Sequence, residues 1–94
     1  MDNNNNQQNQ PQQASLSFTN PAVALGEYAN LVVITHSPSE VVFDFVRTLP
    51  GLEHPAVCSR VVMTPENAKR LMLSLQENIK GYEQTFGPIQ FAED

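Results

Sequence analysis

The sequence predicts an α+β domain: an antiparallel sheet of three to four strands followed by one long C-terminal amphipathic helix packed on one face. β-Branched and aromatic residues cluster in short runs between residues 28 and 63, the composition that a pleated, partly buried surface favours. Pro, Gly and Ser separate those runs, so the chain reverses between them. Beyond residue 64 the apolar period lengthens from two to 3.6, which is the change from strand to helix.

Residues 1–14 come first. Ten of the first thirteen are Asn or Gln, and such a stretch cannot bury enough apolar surface to offset the entropy of ordering, so it is expected to be a disordered tail. In Ser15 to Thr19, Leu16 and Phe18 share one side of an extended segment, the pattern of a short edge strand ended by Asn20 and Pro21. Gly26 then punctuates the chain. Tyr28 to His36 carries Leu31, Val32, Val33 and Ile34 in succession, which gives a strand with two apolar faces, as in strands buried on both sides.

Ser37-Pro38-Ser39 has turn chemistry, so a hairpin should follow. Its second strand is Glu40 to Arg47, where Val41, Phe43 and Phe45 alternate with Val42, Asp44 and Val46. Leu49 to Pro55 holds two prolines and a glycine and reads as a loop. A third strand runs from Ala56 to Met63. Thr64-Pro65-Glu66 then opens a helix: Thr is a favoured N-cap, Pro at the first helical position forfeits no needed donor, and an early acid suits the positive end of the dipole. Ala68, Leu71, Met72, Leu75, Ile79, Tyr82 and Phe86 form one apolar stripe. Gly87 and Pro88 close the helix. The domain is therefore expected over residues 15–91, with 92–94 frayed.

Opposite charges favour facing positions across an antiparallel pair, which places Asp44 opposite Arg60. This sets Val42 opposite Val62, Phe43 opposite Val61 and Val46 opposite Cys58. In the first hairpin, Thr35 opposite Val41 puts Val33 beside Phe43, Leu31 beside Phe45 and Ile34 beside Val42. One face then carries Leu31, Val33, Phe43, Phe45, Val57, Val61 and Met63, and the helix stripe should cover it as the core. The other carries Val32, Ile34, Val42, Asp44, Val46, Arg60 and Val62. The chain has no second helix for that face. Contiguous apolar patches beyond a few hundred Å² are rare on monomers, so it is expected to be an association face. A homodimer is the simplest assembly. The alternative is that Leu16 to Leu25 folds across it.

Charge and composition narrow the function. Among 94 residues, ten acids against five Lys and Arg give a net charge of −5, the opposite of the footprint that a direct nucleic-acid binder requires. One cysteine does not make a disulfide-stapled secreted scaffold, no run approaches a membrane span, and the N-terminus has no signal-peptide pattern. A cytoplasmic protein with no membrane partner is expected. His36, His54 and Cys58 are the only imidazole and thiol groups and lack the close paired spacing of zinc sites. Cys58 sits mid-strand, without a helix N-terminus or a glycine elbow to activate it. His36 to Glu40 combines imidazole, hydroxyls and an acid but reads as a hairpin turn, and no phosphate-binding loop occurs. No catalytic residues, metal site or cofactor are expected. A small-ligand or metal-binding domain using His36, His54 and Cys58 is the alternative function.

Tyr28-Ala-Asn-Leu, Thr35-His36-Ser37, Asp44-Phe45, Ser59-Arg60-Val61-Val62-Met63-Thr64-Pro65-Glu66, Leu75-Gln76-Glu77-Asn78 and Phe86-Gly87-Pro88-Ile89 together resemble a family of short bacterial proteins catalogued as domain of unknown function three-four-six-seven, in particular its Bacteroides-type members. The resemblance spans about residues 27–89, and its most specific pieces are the Ser-Arg-x-x-x-Thr-Pro-Glu junction and the Leu-Gln-Glu-Asn helix segment. It implies a bacterial cytoplasmic protein and brings no assigned activity. The neighbourhood of such genes to those for large RNA polymerase subunits implies a protein partner in the transcription machinery, so an RNA polymerase accessory role is a further alternative. The expected function is a non-enzymatic protein–protein interaction module that self-associates.

Overall fold

A computed structural model describes residues 15–92. The expected disordered tail, residues 1–14, and most of the expected frayed end lie outside that range. The described chain forms a 3₁₀ turn (Pro21–Leu25), strands β1 (Leu31–His36), β2 (Val41–Arg47) and β3 (Ala56–Met63), and helix α1 (Pro65–Phe86). The strands make one antiparallel sheet in the order β1-β2-β3, which with the helix gives the α+β arrangement that the alternating and then helical apolar periods predict. No fourth strand forms at Ser15 to Thr19 among the described residues. Asn20 instead caps the 3₁₀ turn, its Oδ1 accepting the Ala22 N–H at 2.9 Å, and Pro21 supplies the fixed φ of the first turn. Leu16, Phe18, Val23 and Leu25 remain exposed, so this segment does not bury itself across a sheet face.

The first hairpin differs from expectation by one residue. Its turn is closed by Ser37 N–H donating to the Glu40 carbonyl at 2.9 Å, with the Ser37 hydroxyl accepting the Ser39 N–H at 3.4 Å. The four residues 37–40 therefore form the loop, and His36, not Thr35, pairs with Val41. Ile34 now faces Phe43, Val32 faces Phe45, Val33 faces Asp44 and Leu31 faces Val46. Because side chains alternate, a one-residue slip turns the whole strand over. Val32 and Ile34 thus leave the expected association face for the Phe43 face, and Leu31 and Val33 make the opposite move.

The second hairpin has the expected pairs Val42↔Val62, Phe43↔Val61 and Asp44↔Arg60. Beyond them Phe45 pairs with Ser59 and Val46 with Val57, which leaves Cys58 as the extra residue of a β-bulge rather than the partner of Val46. The bulge also carries Val57 from the expected core face to the position opposite Val46. The Cys58 thiol donates to the Phe45 carbonyl at 3.3 Å, so its sulfur fills the gap in the ladder.

Helix α1 begins and ends where its capping residues dictate. Thr64 is extended, its hydroxyl accepts the Asn67 N–H at 3.2 Å, Pro65 follows, and Glu66 pairs with Arg70 at 2.6 Å. At the far end Gly87, at φ 94°, donates its N–H to the Glu83 carbonyl. The Glu83 carboxylate accepts the Ile89 N–H at 2.8 Å and turns the chain back. The helix meets the sheet at β3, yet none of its residues is buried. Only two hydrophobic side chains among the described residues are buried, Phe43 (8% exposed) and Val46 (5%). Both belong to the central strand, three positions apart, and so lie on opposite faces. Neither face of the sheet is a closed core.

Candidate functional site

The middle of the sheet carries its one bidentate ion pair among the described residues. Register brings Asp44 opposite Arg60, and the guanidinium donates Nε to Oδ1 at 2.6 Å and Nη2 to Oδ2 at 2.8 Å. Such fork-to-fork geometry fixes both side chains in the plane of contact. The two partners are unequally covered: the Asp44 side chain is 13% exposed and that of Arg60 65%. The hydrogen bonds from Arg60 hold the Asp44 carboxyl below its ordinary value, and Asp44 in turn raises Arg60. Around the pair lie Val42 and Val46 on β2, Leu31 and Val33 on β1, and Val57 and Val62 on β3. Of these, Leu31, Val33, Val57 and Val62 are exposed. The expected association face thus keeps Val42, Asp44, Val46, Arg60 and Val62, while Val32 and Ile34 belong to the other side.

A second cluster braces the end of the sheet. The Asn30 side chain accepts the Thr48 N–H and donates to the Thr48 carbonyl, each at 3.0 Å. One amide side chain thereby reproduces both halves of a ladder rung and extends the β1–β2 pairing past Leu31. Arg47 reaches the same segment, donating to the Tyr28 carbonyl at 3.0 Å and pairing with Glu27 at 2.9 Å. Asn30 lies eighteen residues from Thr48, and a polar residue at a strand end carries no mark of so distant a partner, so sequence reasoning missed the clamp.

These contacts hold residues 27–30 beside the bulge and leave an open cleft of about 520 Å³, lined among others by Asn20, Val23, Glu27, Phe45, Cys58 and Ser59. It holds one thiol, one hydroxyl and one carboxylate, and no imidazole. Cys58 has no neighbouring base there of the kind that activates a nucleophile. His36 and His54 are not brought together either. His36 ends β1 beside Val41, whereas His54 precedes Ala56, which pairs with Arg47 at the other end of β2, about 20 Å away along the strand. No group of three or more His, Cys, Asp or Glu placed to hold a metal occurs among the described residues.

A three-stranded antiparallel sheet followed by one long helix defines the chain as a small α+β domain, and no helix among the described residues is long and apolar enough to cross a membrane. The chain belongs to the family described as "Protein of unknown function (DUF3467)", whose family model matches residues 1–91. That match contains the strand-to-helix junction Ser59 to Glu66 and also reaches the N-terminal residues outside the resemblance read from the sequence. Comparison with curated proteins and with solved structures gives no match.

Proposed function

We propose that the chain is a non-enzymatic protein–protein interaction module that self-associates, with the Asp44–Arg60 sheet face as one of its contact surfaces. A single observation carries the reading: Phe43 and Val46 are the only buried hydrophobic side chains among the described residues, while apolar residues on both sheet faces and along α1 stand open to solvent. Exposed apolar patches of more than a few hundred Å² mark interaction sites on soluble proteins. A half-covered, geometrically fixed ion pair within such a patch supplies register and partner choice more than affinity. The acidic net charge of −5 points the surface towards protein rather than nucleic acid.

Sedimentation of the full chain across the micromolar range tests this. A species heavier than the 10.4 kDa chain, broken up by Val62→Lys on the Asp44 face, is expected. A strict monomer at every concentration would remove the basis of the reading.

A further inference from the structure

We infer that α1 is an exchanged arm: in the assembled protein the apolar stripe of each copy's helix lies across the Phe43 face of a second copy. The inference rests on the self-association proposed above and assigns the surfaces that meet.

The helix has twenty-two residues and is about 33 Å long, longer than the roughly 26 Å of β3. Folded back along its own sheet it would bury its stripe. Instead, beyond half-buried Ala68, the stripe is open, from 37% at Leu71 to 71% at Phe86. Between Met63, the last residue of β3, and Pro65, the first of α1, stands Thr64 alone, extended at φ −69°, ψ 156°. Connections in compact domains usually run to several residues, whereas here a single capping residue followed by proline carries the helix on from β3, and its main contacts with the sheet are to that strand. Short hinge loops invite exchange between copies where folding back would strain them.

The surface that the helix leaves uncovered fits it. Val32, Ile34 and Val61 flank Phe43 and Phe45 on one face, and all three flanking residues are exposed. Fully covered, the open parts of the helix stripe and sheet face would come to roughly 800 Å² per copy, enough to reach the ~800 Å² per partner of a standard stable interface. Charge also permits the pairing. The whole chain is acidic, but the helix carries Glu66, Glu77 and Glu83 against Lys69, Arg70 and Lys80 and is neutral, so two copies meet through their least repulsive parts. An amphipathic helix of this length draws most of its stability from packing rather than propensity. The partner's sheet supplies that packing, and reciprocity closes the pair with two identical contacts.

The test uses the full chain with Cys58→Ser in two versions, one with Leu75→Cys on the helix stripe and one with Ile34→Cys on the sheet face, co-refolded and gently oxidised. A disulfide joining a helix-labelled to a sheet-labelled chain is expected as the main product, together with an at least tenfold weaker dimer for Leu75→Ala. A product joining only helix-labelled chains would overturn the exchange while leaving self-association in place, and so would a dimer whose dissociation midpoint ignores Leu75→Ala. Absence of any cross-linked product, with sedimentation at the monomer mass, would overturn both readings.

Discussion

Asp44 accepts both arms of the Arg60 guanidinium, at 2.6 and 2.8 Å, while Arg60 itself stays largely in water and Asp44 is nearly covered. The carboxylate is the partner whose protonation state matters. Its hydrogen bonds from Arg60 depress its pKa in the folded chain below the ordinary 3.8. A depressed acid stabilises the fold at pH values above its unfolded value, and that contribution is lost as pH falls through the folded one. Denaturant midpoints are therefore expected to fall below about pH 4, and Asp44→Asn should flatten that part of the profile while lowering the midpoint at neutral pH. Identical acid limbs for the two proteins would show that the pair contributes nothing to the fold.

Thr64→Ala removes the hydroxyl that accepts the Asn67 N–H, and is expected to cost about 1 kcal/mol. Chemical denaturation of this variant beside Thr64→Ser, which keeps the acceptor, separates the cap from the volume change. Equal losses in both would deny the cap its role.

Phe43 and Leu75 should behave differently when each is cut to alanine. Phe43 is buried within one chain, so its loss should cost about 3–5 kcal/mol even under dilution, where a second copy contributes nothing. Leu75 is exposed in the single chain, and its loss there should stay within about 0.5 kcal/mol under dilution, growing as the protein is concentrated. Melting curves at two concentrations a hundredfold apart decide this. A concentration-independent Leu75 effect would place the stripe in an intramolecular core.

The Asn30 clamp is expected to show in exchange rather than in bulk melting. Asn30→Ala leaves the Thr48 N–H and carbonyl unpaired at a solvent-accessible site, a loss of about 1 kcal/mol. Amide hydrogen exchange at Thr48 should accelerate several-fold while the amides of Phe43 and Val61 keep their protection. Unchanged exchange at Thr48 would mean that the strand end is held by other contacts.

The helix was legible to the residue because its signals are local: Thr64 and Pro65 start it, Gly87 stops it, and the stripe between them has one period. The β2–β3 register was legible through Asp44 and Arg60, since opposite charges define a pair. The β1–β2 register was not. Leu31, Val32, Val33 and Ile34 are apolar on both faces, so no pattern distinguishes one register from its neighbour, and the choice falls to the Ser37–Glu40 closure. The bulge at Cys58 carries no glycine and announces itself only in the paired structure. The same apolar helix spacing that predicted the stripe could not say whether it turns towards its own sheet, because amphipathicity records that a face is buried and not by which chain.

The strand order places β1 at an edge of the sheet, with a row of backbone groups facing outward. Leu31 to His36 has no Lys, Arg, Asp, Glu or Pro, the residues by which natural edges discourage unwanted strand pairing. Four of the six residues are β-branched, and with no Asp, Glu, Lys or Arg the segment also meets the pattern of those that stack into cross-β fibrils. This uncharged edge is therefore a place where misassembly would begin, and a charged residue introduced at Thr35, whose position faces Val42 on the Asp44 side, would guard it only by weakening the contact surface proposed there.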